Sequence, residues 1–429
     1  MKTSALFVCT ECGFETKKWQ GKCNNCQQWH TLVESVSTTH RNLTTTLSLE
    51  PVSLSDVSIS EEEMRPLFSL PLAEVQCVMG KALSPASFVL LGGEPGIGKS
   101  TLALQIAKYL LPNQTFLYIS GEESIGQLKL RAERLGVVDR VKGMMLADID
   151  LIVEHIRKQS YDVLVIDSLH TLYSSTTSGT VGSVSQIKYS VDLLRRIAKE
   201  QKILLIGIAH ITKEGDIAGP KMLEHMVDAV FYLEGERDHT VRFLRAVKNR
   251  YDAVNTLGVV EMTEGGFVDM KDPNSLFWSQ GQLDIGSSLG MIKQGKRIFV
   301  TEVQALVVPT DFGYPRRTAL GIDINRLHTL LAVLEKQTGA KFHKFDVYIK
   351  LKGGITAEDP VLDAAICTAL LASYSKKVVP SQSIALGEVE LNGKIVLRDP
   401  DYRAEIKKRS LKELKVASVL AIGELFADQ

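Results

Sequence analysis

The sequence predicts an α/β protein whose central, mainly parallel sheet binds a nucleotide and is preceded by a small metal-binding ribbon. A G-x-x-x-x-G-K-[ST] motif runs from Gly93 to Ser100, between an apolar run and a helix-like run, and this combination is typical of a phosphate-binding loop. Two C-x₂-C pairs lie near the N-terminus, ten residues apart. With 429 residues, of which 45% are hydrophobic, the chain is long enough for two or three domains.

The loop that carries the first motif is predicted to bind nucleotide phosphates between a strand at 86–91 and a helix at 101–111. Its glycines let successive N–H groups point at phosphates, while Lys99 can reach the β- and γ-phosphates and the Ser100 hydroxyl can bind Mg²⁺. A glycine-rich turn without a ligand is the alternative, and the complete motif disfavours it. The predicted nucleotide-binding residues of this loop are Gly93, Glu94, Pro95, Gly96, Ile97, Gly98, Lys99, Ser100 and Thr101.

The four cysteines of the N-terminal pairs, Cys9, Cys12, Cys23 and Cys26, are predicted to hold a structural zinc ion. Four thiolates in two close pairs can complete a tetrahedral site with no open position. Two disulfides are the weaker alternative in a reducing cytosol, and a rubredoxin-like iron site or a redox dithiol pair are others. A segment this short cannot bury a core of its own, so the metal must supply folding free energy.

Composition sets the expected domain boundaries and compartment. We expect the ribbon at 1–35 and a linker at 36–65, where Thr, Ser and Glu dominate without a period of 2 or 3.6. The formal net charge is zero, so any binding to nucleic acid must come from a local patch or from an assembly. The sequence has no apolar run of 18 residues and no N-terminal signal, which predicts a cytoplasmic protein without a membrane partner.

Polar residues follow three predicted strands of the sheet. The run at 161–166 ends at Asp167, which suits Mg²⁺ coordination through water, with a helix N-cap as the alternative. Glu122 follows an earlier strand and could orient the attacking water or cap a helix. A further buried strand ends at His210. Because ligands bind at the carboxyl ends of parallel strands, these side chains are expected at one edge.

Two loops and a basic cluster complete the candidate sites. The loops at 174–183 and 212–221 are rich in Gly, Ser and Thr and adjoin the nucleotide edge, so they are expected to carry function, with plain surface loops as the alternative. The basic cluster could contact phosphates of a nucleotide or a nucleic acid, or could be a solvated strand face. Its members are Arg242, Arg245, Lys248, Asn249 and Arg250.

These motifs together resemble the bacterial RadA (Sms) family of DNA repair proteins, which are RecA-like ATPases, over nearly the whole chain. The resemblance depends on the four-cysteine ribbon continued by W-H-T-L-V-E, the phosphate-binding loop, Y-I-S-G-E-E-S at 118–124, H-I-T-K-E-G at 210–215 and K-N-R-Y at 248–251. In the K-N-R-[FY]-G signature of that family, Asp252 here replaces the final glycine and leaves the charges in place.

The resemblance implies a hexameric ring that hydrolyses ATP with Mg²⁺, translocates on single-stranded DNA and drives branch migration of recombination intermediates. Its partners would be single-stranded and branched DNA and recombinase or replication proteins. Glu122 would activate water, Asp167 would serve the magnesium and His210 would sense the γ-phosphate. Lys248 and Arg250 would complete a neighbouring subunit's nucleotide site, and the two loops would line the channel. A nucleotide-dependent switch or scaffold without translocation is the alternative.

The family resemblance also implies the remaining architecture: a RecA-type P-loop ATPase domain at 66–271 and, at 272–429, an α/β domain that resembles the Lon protease domain. The Lon nucleophile lies in a G-P-S-A-G pattern, whereas no serine follows Pro360 here. Without a hydroxyl nucleophile, peptide cleavage has no start, so a non-proteolytic scaffold is expected. The lysines at 341, 344, 350 and 352 suggest either a face that holds duplex DNA or a solvated strand face.

Overall fold

The computed structural model describes residues 6–9, 15–16, 18–29, 31–35, 67–210, 220–235, 239–279, 281–310 and 313–426. The chain divides into two compact units, Met1–Met270 and Lys271–Gln429. The predicted linker at 36–65, the ligand Cys12 and most of the predicted loop at 212–221 lie outside the described residues. No described helix is both long enough and apolar enough to cross a membrane.

The N-terminal ribbon is a small antiparallel sheet in which Leu6–Cys9 pairs with Glu15–Thr16 on one side and with Leu32–Ser35 on the other. Among the described residues of the ribbon, the buried hydrophobic cluster consists of Cys9, Cys23 and Leu32, with a few half-buried neighbours. This small cluster of described residues offsets little of the loss of chain entropy, which agrees with a fold that depends on bound metal.

A nine-stranded sheet forms the centre of the first unit, as far as the chain is described. The strand before the phosphate-binding loop, Phe88–Gly93, lies between Leu204–His210 and Ala229–Glu234 and is parallel to both. The predicted mainly parallel α/β sheet is therefore confirmed. Along the sheet the strands are Gly266–Asp269, Leu257–Thr263, Val241–Asn249, Ala229–Glu234, Phe88–Gly93, Leu204–His210, Val163–Asp167, Phe116–Ser120 and Val141–Met145.

Helices cover both faces of this sheet and create two separate cores. Successive strand side chains point to opposite faces, so Val89 and Leu91 enter one core while Phe88 and Leu90 enter the other. A strand buried on both faces must be apolar throughout, as the run before the phosphate-binding loop is. The described helices of this unit are Ala73–Met79, Lys99–Gln105, Ile125–Leu135, Ile149–Lys158, Val184–Glu200 and Pro220–Met226.

The predicted element boundaries were shifted by a few residues. The helix expected at 101–111 begins at Lys99 and is α-helical to Gln105, after which Ile106–Tyr109 continues as a 3₁₀ turn. The strand expected at 86–91 is Phe88–Gly93. Residues 92 and 93 are glycines, which strand propensity disfavours, and pairing with strands on both sides overrides that preference.

The second unit is also α/β. Six of its described strands form a mixed sheet, and a further pair, Glu388–Val389 and Ile395–Val396, forms a hairpin. Helix Asp363–Ser375 is buried from Asp363 to Ser373, as expected of a helix that is apolar all round. The strands of the mixed sheet are, in order, Arg317–Leu320, Phe345–Leu351, Arg297–Pro309, Ser287–Gln294, Ser383–Ile384 and Lys412–Glu413, and the other described helices are Ile324–Thr338, Asp401–Lys408 and Val419–Phe426.

Candidate nucleotide-hydrolysis site and metal centre

The phosphate-binding loop is shaped by glycines that a larger residue could not replace. Gly93 has φ +149°, and a Cβ atom there would lie 2.4 Å from the carbonyl oxygen of Leu233 on the next strand. Gly98 has φ +113°, and its Cβ would lie 2.7 Å from the ring of Phe267. The loop therefore lies directly against backbone on one side and an aromatic ring on the other, with Pro95 and Gly96 exposed at its tip.

Lys99 begins the helix after this loop and is buried, with only 3% of its surface exposed. Its Nζ donates to the carbonyl oxygens of Gly93 at 2.8 Å and Glu94 at 2.9 Å. Burial lowers the pKa of Lys99 to about 8, although Asp167, Glu122 and Glu94 oppose the shift. Carbonyl oxygens of the loop thus hold the Lys99 ammonium in place. Phosphate oxygens of a nucleotide can replace them as hydrogen-bond acceptors.

His210 connects Lys99 to Glu122. Its Nδ1 lies 3.2 Å from the Lys99 Nζ, and its Nε2 lies 3.4 Å from Oε1 of Glu122. Because a lysine ammonium can only donate, Nδ1 accepts, which puts the imidazole proton on Nε2, facing the carboxylate. Three of the predicted site residues, which lie on three different segments of the chain, are therefore linked through one imidazole ring.

Glu122 points its carboxylate at the same edge. Its Oε1 accepts from the Ser168 hydroxyl at 2.6 Å, and 44% of its side chain is exposed. The capping alternative is wrong for Glu122, because the following helix is capped by Ser124, which forms a capping box with Gln127. The N-cap alternative for Asp167 is also wrong, since Ser168 holds that position of the next turn.

Asp167 ends its strand beside the phosphate-binding loop and is held by a residue that the sequence reasoning missed. The hydroxyl of the fully buried Tyr118 donates to Oδ2 of Asp167 at 2.5 Å and also bonds the side chain of Ser100. Burial, followed by the Asp167 charge, raises the pKa of Tyr118 well above its ordinary value, so the phenol remains a donor. The two predicted magnesium residues are thus bridged by one hydroxyl, from a strand that is apolar apart from Tyr118 and Ser120.

His170 is a second residue that the sequence reasoning missed. Both of its ring nitrogens are buried and have no hydrogen-bond partner among the described residues. Its ring centroid lies 6.1 Å from that of His210. Burial lowers the pKa of His170, and His210 adds to the shift, so the ring stays neutral at physiological pH. The sequence feature that could have drawn attention to His170 is its position only three residues after Asp167, close to the end of the same strand.

The predicted basic cluster is not one surface, because its strand Val241–Asn249 alternates between buried and half-buried residues. Arg242 is buried, and its Nε donates to the carbonyl oxygen of Ile97 in the phosphate-binding loop at 3.2 Å. Arg245 instead lies beside Glu234, at 3.5 Å. The alternative of a solvated strand face is therefore wrong for Arg242, which is buried and supports the phosphate-binding loop.

Lys248 and Arg250 lie at the opposite edge of the sheet from the phosphate-binding loop. Lys248 Nζ donates to the carbonyl oxygens of Glu224 at 2.6 Å and Val227 at 2.9 Å. Arg250 donates to Asp228 at 2.9 Å, and the same carboxylate accepts from the backbone N–H of Phe88. Phe88 is the first residue of the strand that ends at Gly93, and five strand residues span about 17 Å. The structure does not bring these two cations to the other site residues.

The ribbon brings three predicted zinc ligands together. The Sγ atoms of Cys9, Cys23 and Cys26 lie within 4.8 Å of one another, and those of Cys9 and Cys26 are 3.6 Å apart. Tetrahedral zinc with Zn–S bonds of about 2.3 Å requires sulfur atoms about 3.8 Å apart. The described sulfur atoms therefore fit Zn²⁺, and the fourth predicted ligand, Cys12, lies outside the described residues.

Comparison with known proteins agrees with both sites. Residues 7–34 match a family model described as a rubredoxin metal binding domain, and residues 89–227 match the ATPase family associated with various cellular activities. The "DNA repair protein RadA" of Streptococcus pyogenes serotype M6 is 42% identical over 403 residues, which cover 92% of this chain and 88% of that protein. The chain belongs to the RadA family of DNA repair proteins.

Other RadA proteins match over a similar length. The RadA protein of Listeria monocytogenes serovar 1/2a is 42% identical over 401 residues, and that of Bacillus subtilis strain 168 is 40% identical over 404, each covering 92% of this chain. Among solved structures, the RadB recombinase is similar at 19% identity and a TM-score of 0.38, covering 46% of this chain and 97% of that one. As a RadA-family member, this chain is a DNA repair ATPase that uses ATP, Mg²⁺ and Zn²⁺.

Proposed function

We propose that this RadA-family protein hydrolyses ATP to translocate on single-stranded DNA and promotes branch migration of recombination intermediates, as a hexameric ring in the cytoplasm. The observation that carries the hydrolytic part is the contact chain from Lys99 through His210 to Glu122, beside Asp167. The DNA-related part is supported by the family, whose named function is DNA repair.

In the proposed reaction, Lys99 exchanges its bonds to loop carbonyls for bonds to the β- and γ-phosphates. Glu122, which is accessible and oriented by Ser168, positions the attacking water. Ser100 and Asp167 would hold magnesium, which would supply charge neutralisation for the transferring phosphate. His210 touches both Lys99 and Glu122, so a change at the γ-phosphate alters its contacts and can be passed along the chain.

The loop at 174–183 is the proposed route from hydrolysis to DNA. It begins seven residues after Asp167, and the buried Gln186 organises it. The Nε2 of Gln186 donates to the carbonyl oxygens of Ser174 at 3.0 Å, Thr177 at 2.7 Å and Gly179 at 3.2 Å. These bonds connect the loop to the helix that follows it, which suits transmission of a nucleotide-dependent shift. The second proposed DNA loop, at 212–221, lies mostly outside the described residues.

Lys248 and Arg250 are proposed to act in the nucleotide site of a neighbouring subunit. A cation supplied across a subunit boundary can stabilise the transferring phosphate and couple successive hydrolysis events. The side chain of Arg250 is 55% exposed, so a neighbour can reach it, and its distance from the loop of its own chain argues against a role there. If each nucleotide site needs a cation from a neighbouring subunit, every subunit must have a neighbour, which favours a closed ring over an isolated subunit.

The Lon-like unit at 272–429 is proposed to be a scaffold without peptidase activity. The carboxylate of Asp363, three residues after Pro360, is buried and bound by Arg326 at 2.5 and 2.6 Å. Burial raises the pKa of the Cys367 thiol well above its ordinary value, so that thiol is not an activated nucleophile. An unfolded protein substrate incubated with ATP should remain intact.

The decisive test is ATP hydrolysis measured with and without single-stranded DNA while light scattering follows the oligomeric state. DNA should stimulate hydrolysis, and Glu122→Gln should bind ATP but lose turnover. Glu123→Gln is the matched control, since its carboxylate binds Arg131 at 2.5 Å and has no proposed catalytic role. Hydrolysis by an intact oligomer that DNA leaves unchanged would favour the nucleotide switch. An ATP-dependent change in a labelled branched DNA tests branch migration directly.

A further inference from the structure

Two of the three tryptophans of the chain lie in the zinc ribbon, and both are largely exposed. Trp19 is 59% exposed and Trp29 is 65% exposed. Large aromatic side chains are rarely left in water, because each carries 150–250 Å² of apolar surface. The ribbon buries Cys9 and Cys23 and displays both indole rings, whose exposure contributes nothing to its stability.

The indole rings lie in a basic, polar setting. Lys22 pairs with Trp29 in an antiparallel bridge, and its Nζ is 5.9 Å from the Trp29 ring centroid. The six-membered ring of Trp29 lies against Gly21, only two residues from Trp19. Lys18 adjoins Trp19 and is exposed. We call this set, Lys18, Trp19, Lys22 and Trp29, the indole face.

The charge of this segment favours an anionic partner. Residues 18–29 contain two lysines and no acidic residue, and their other exposed side chains are amides. A protein-docking patch would surround the aromatic rings with further apolar side chains. Exposed indole rings beside lysines and amides instead match the way single-stranded nucleic acid is bound, with bases stacked on aromatic rings and phosphates neutralised by lysine.

We propose that the indole face of the zinc ribbon binds single-stranded DNA by stacking bases on Trp19 and Trp29. This site is separate from the ATPase loops and needs no nucleotide hydrolysis. It shares with the proposed translocation only the single-stranded DNA, and its test therefore uses no ATP. Zinc has an indirect role in this site, because the fold that displays the rings depends on the cysteines.

The test follows tryptophan emission from full-length protein carrying Trp278→Phe, so that all emission comes from the ribbon. A thymidine oligonucleotide should quench this emission with saturation. An abasic oligonucleotide of the same length carries the same phosphates without bases and should leave the emission nearly unchanged. Anisotropy of a labelled oligonucleotide, recorded in parallel, reports total binding. Saturable binding with unchanged ribbon emission, or equal quenching by the abasic strand, overturns the proposal.

Variants separate stacking from other contributions. In the Trp278→Phe protein, Trp19→Ala or Trp29→Ala should weaken the quenching equilibrium about fivefold or more, since each stacked base contributes about 1–3 kcal/mol. The remaining ribbon tryptophan still reports binding in each single variant. Tyr314→Ala is the matched control, because Tyr314 is 91% exposed and lies in the other unit. Zinc content must stay at the wild-type level in each variant that is compared.

Two further results separate this proposal from the proposed function and from a protein partner. Lys99→Ala should lose ATP hydrolysis but keep the quenching of ribbon emission by DNA. Failure of the indole-face proposal can therefore be distinguished from failure of the proposed ATPase function. Lys22→Ala should reduce the slope of log affinity against log salt by about one, as expected for loss of one phosphate contact. If both tryptophan variants bind DNA as tightly as Tyr314→Ala, the indole face is not a DNA site and a protein partner becomes the better explanation.

Discussion

At the carboxyl-terminal edge of the ATPase sheet, Lys99, His210 and Glu122 contact one another, whereas at its amino-terminal edge Lys248 and Arg250 contact acceptors from neighbouring elements of their own unit. The carboxyl-terminal edge holds Lys99 of the phosphate-binding loop, the carboxylate of Asp167 beside that loop and the exposed Glu122. The amino-terminal edge holds cations about 17 Å away along the strand. One chain thus brings together most of the proposed hydrolytic groups, while its K-N-R-Y cations lie apart from them, as the proposed role in a neighbouring subunit requires.

The largest expected effect tests the amino-terminal edge. Arg250→Ala should bind ATP through an intact carboxyl-terminal edge yet lose DNA-dependent turnover roughly a thousandfold, as when an arginine supplied to the transferring phosphate is removed. Mixing it with Lys99→Ala should restore some hydrolysis, because some interfaces then pair an intact phosphate-binding loop with an intact arginine.

Two controls make the mixing experiment interpretable. Exchange of labelled wild-type subunits must first show that mixed oligomers form. Asp228 loses a partner in Arg250→Ala but keeps its bond from the Phe88 N–H, so thermal melting should confirm a folded variant. If the mixture is as inactive as its components while subunits exchange, Arg250 acts within its own chain and the comparison between the two edges fails.

Lys99→Ala should reduce hydrolysis about a hundred- to a thousandfold, since it removes a charged group preorganised at the phosphates. Lys108→Ala, which changes an exposed lysine on the 3₁₀ turn that follows the same helix, should hydrolyse ATP at the wild-type rate. Steady-state phosphate release measures both. Full turnover in Lys99→Ala would show that the loop is not the hydrolytic site.

Tyr118→Phe should weaken magnesium activation about ten- to a hundredfold, the usual range when a partner of a metal-binding carboxylate is lost. The hydroxyl that orients Asp167 and touches Ser100 disappears while the ring still fills the core. Tyr109→Phe is the control, because its hydroxyl bonds Gln105 and not Asp167. Hydrolysis titrated with Mg²⁺ at fixed ATP should separate the two variants; identical titrations would remove Tyr118 from the site.

The smallest expected effect is a pH dependence of ATP binding. Burial lowers the pKa of Lys99 to about 8, whereas a bound triphosphate favours the charged form and raises that pKa. ATP binding must then take up a proton above pH 8, so affinity falls by up to about tenfold per pH unit as pH rises through this range. Calorimetry in two buffers of different ionisation enthalpy measures the uptake. Lys99→Arg, which keeps its charge, should lose this dependence.

Much of this protein was predictable from local sequence because its motifs encode local chemistry. The cysteine spacing predicted a cluster of sulfur atoms, and three of the four are found together. The glycines of the phosphate-binding loop predicted its shape, and the buried runs predicted parallel strands whose polar ends meet. The family could be recognised from the same motifs, since each occupies consecutive residues.

What only the tertiary structure decided depends on which segments become neighbours. A period-2 strand pattern shows which residues share a face, but it does not show that Arg242 lies under the phosphate-binding loop while Lys248 and Arg250 lie at the far edge. The sequence also does not show that Tyr118, which lies within an apolar run, forms a hydrogen bond with Asp167. The strand of Asp167 begins more than forty residues later in the chain. Sequence fixes the chemistry that each segment carries, whereas sheet order and register, set by burial on both faces, decide which of those chemistries meet.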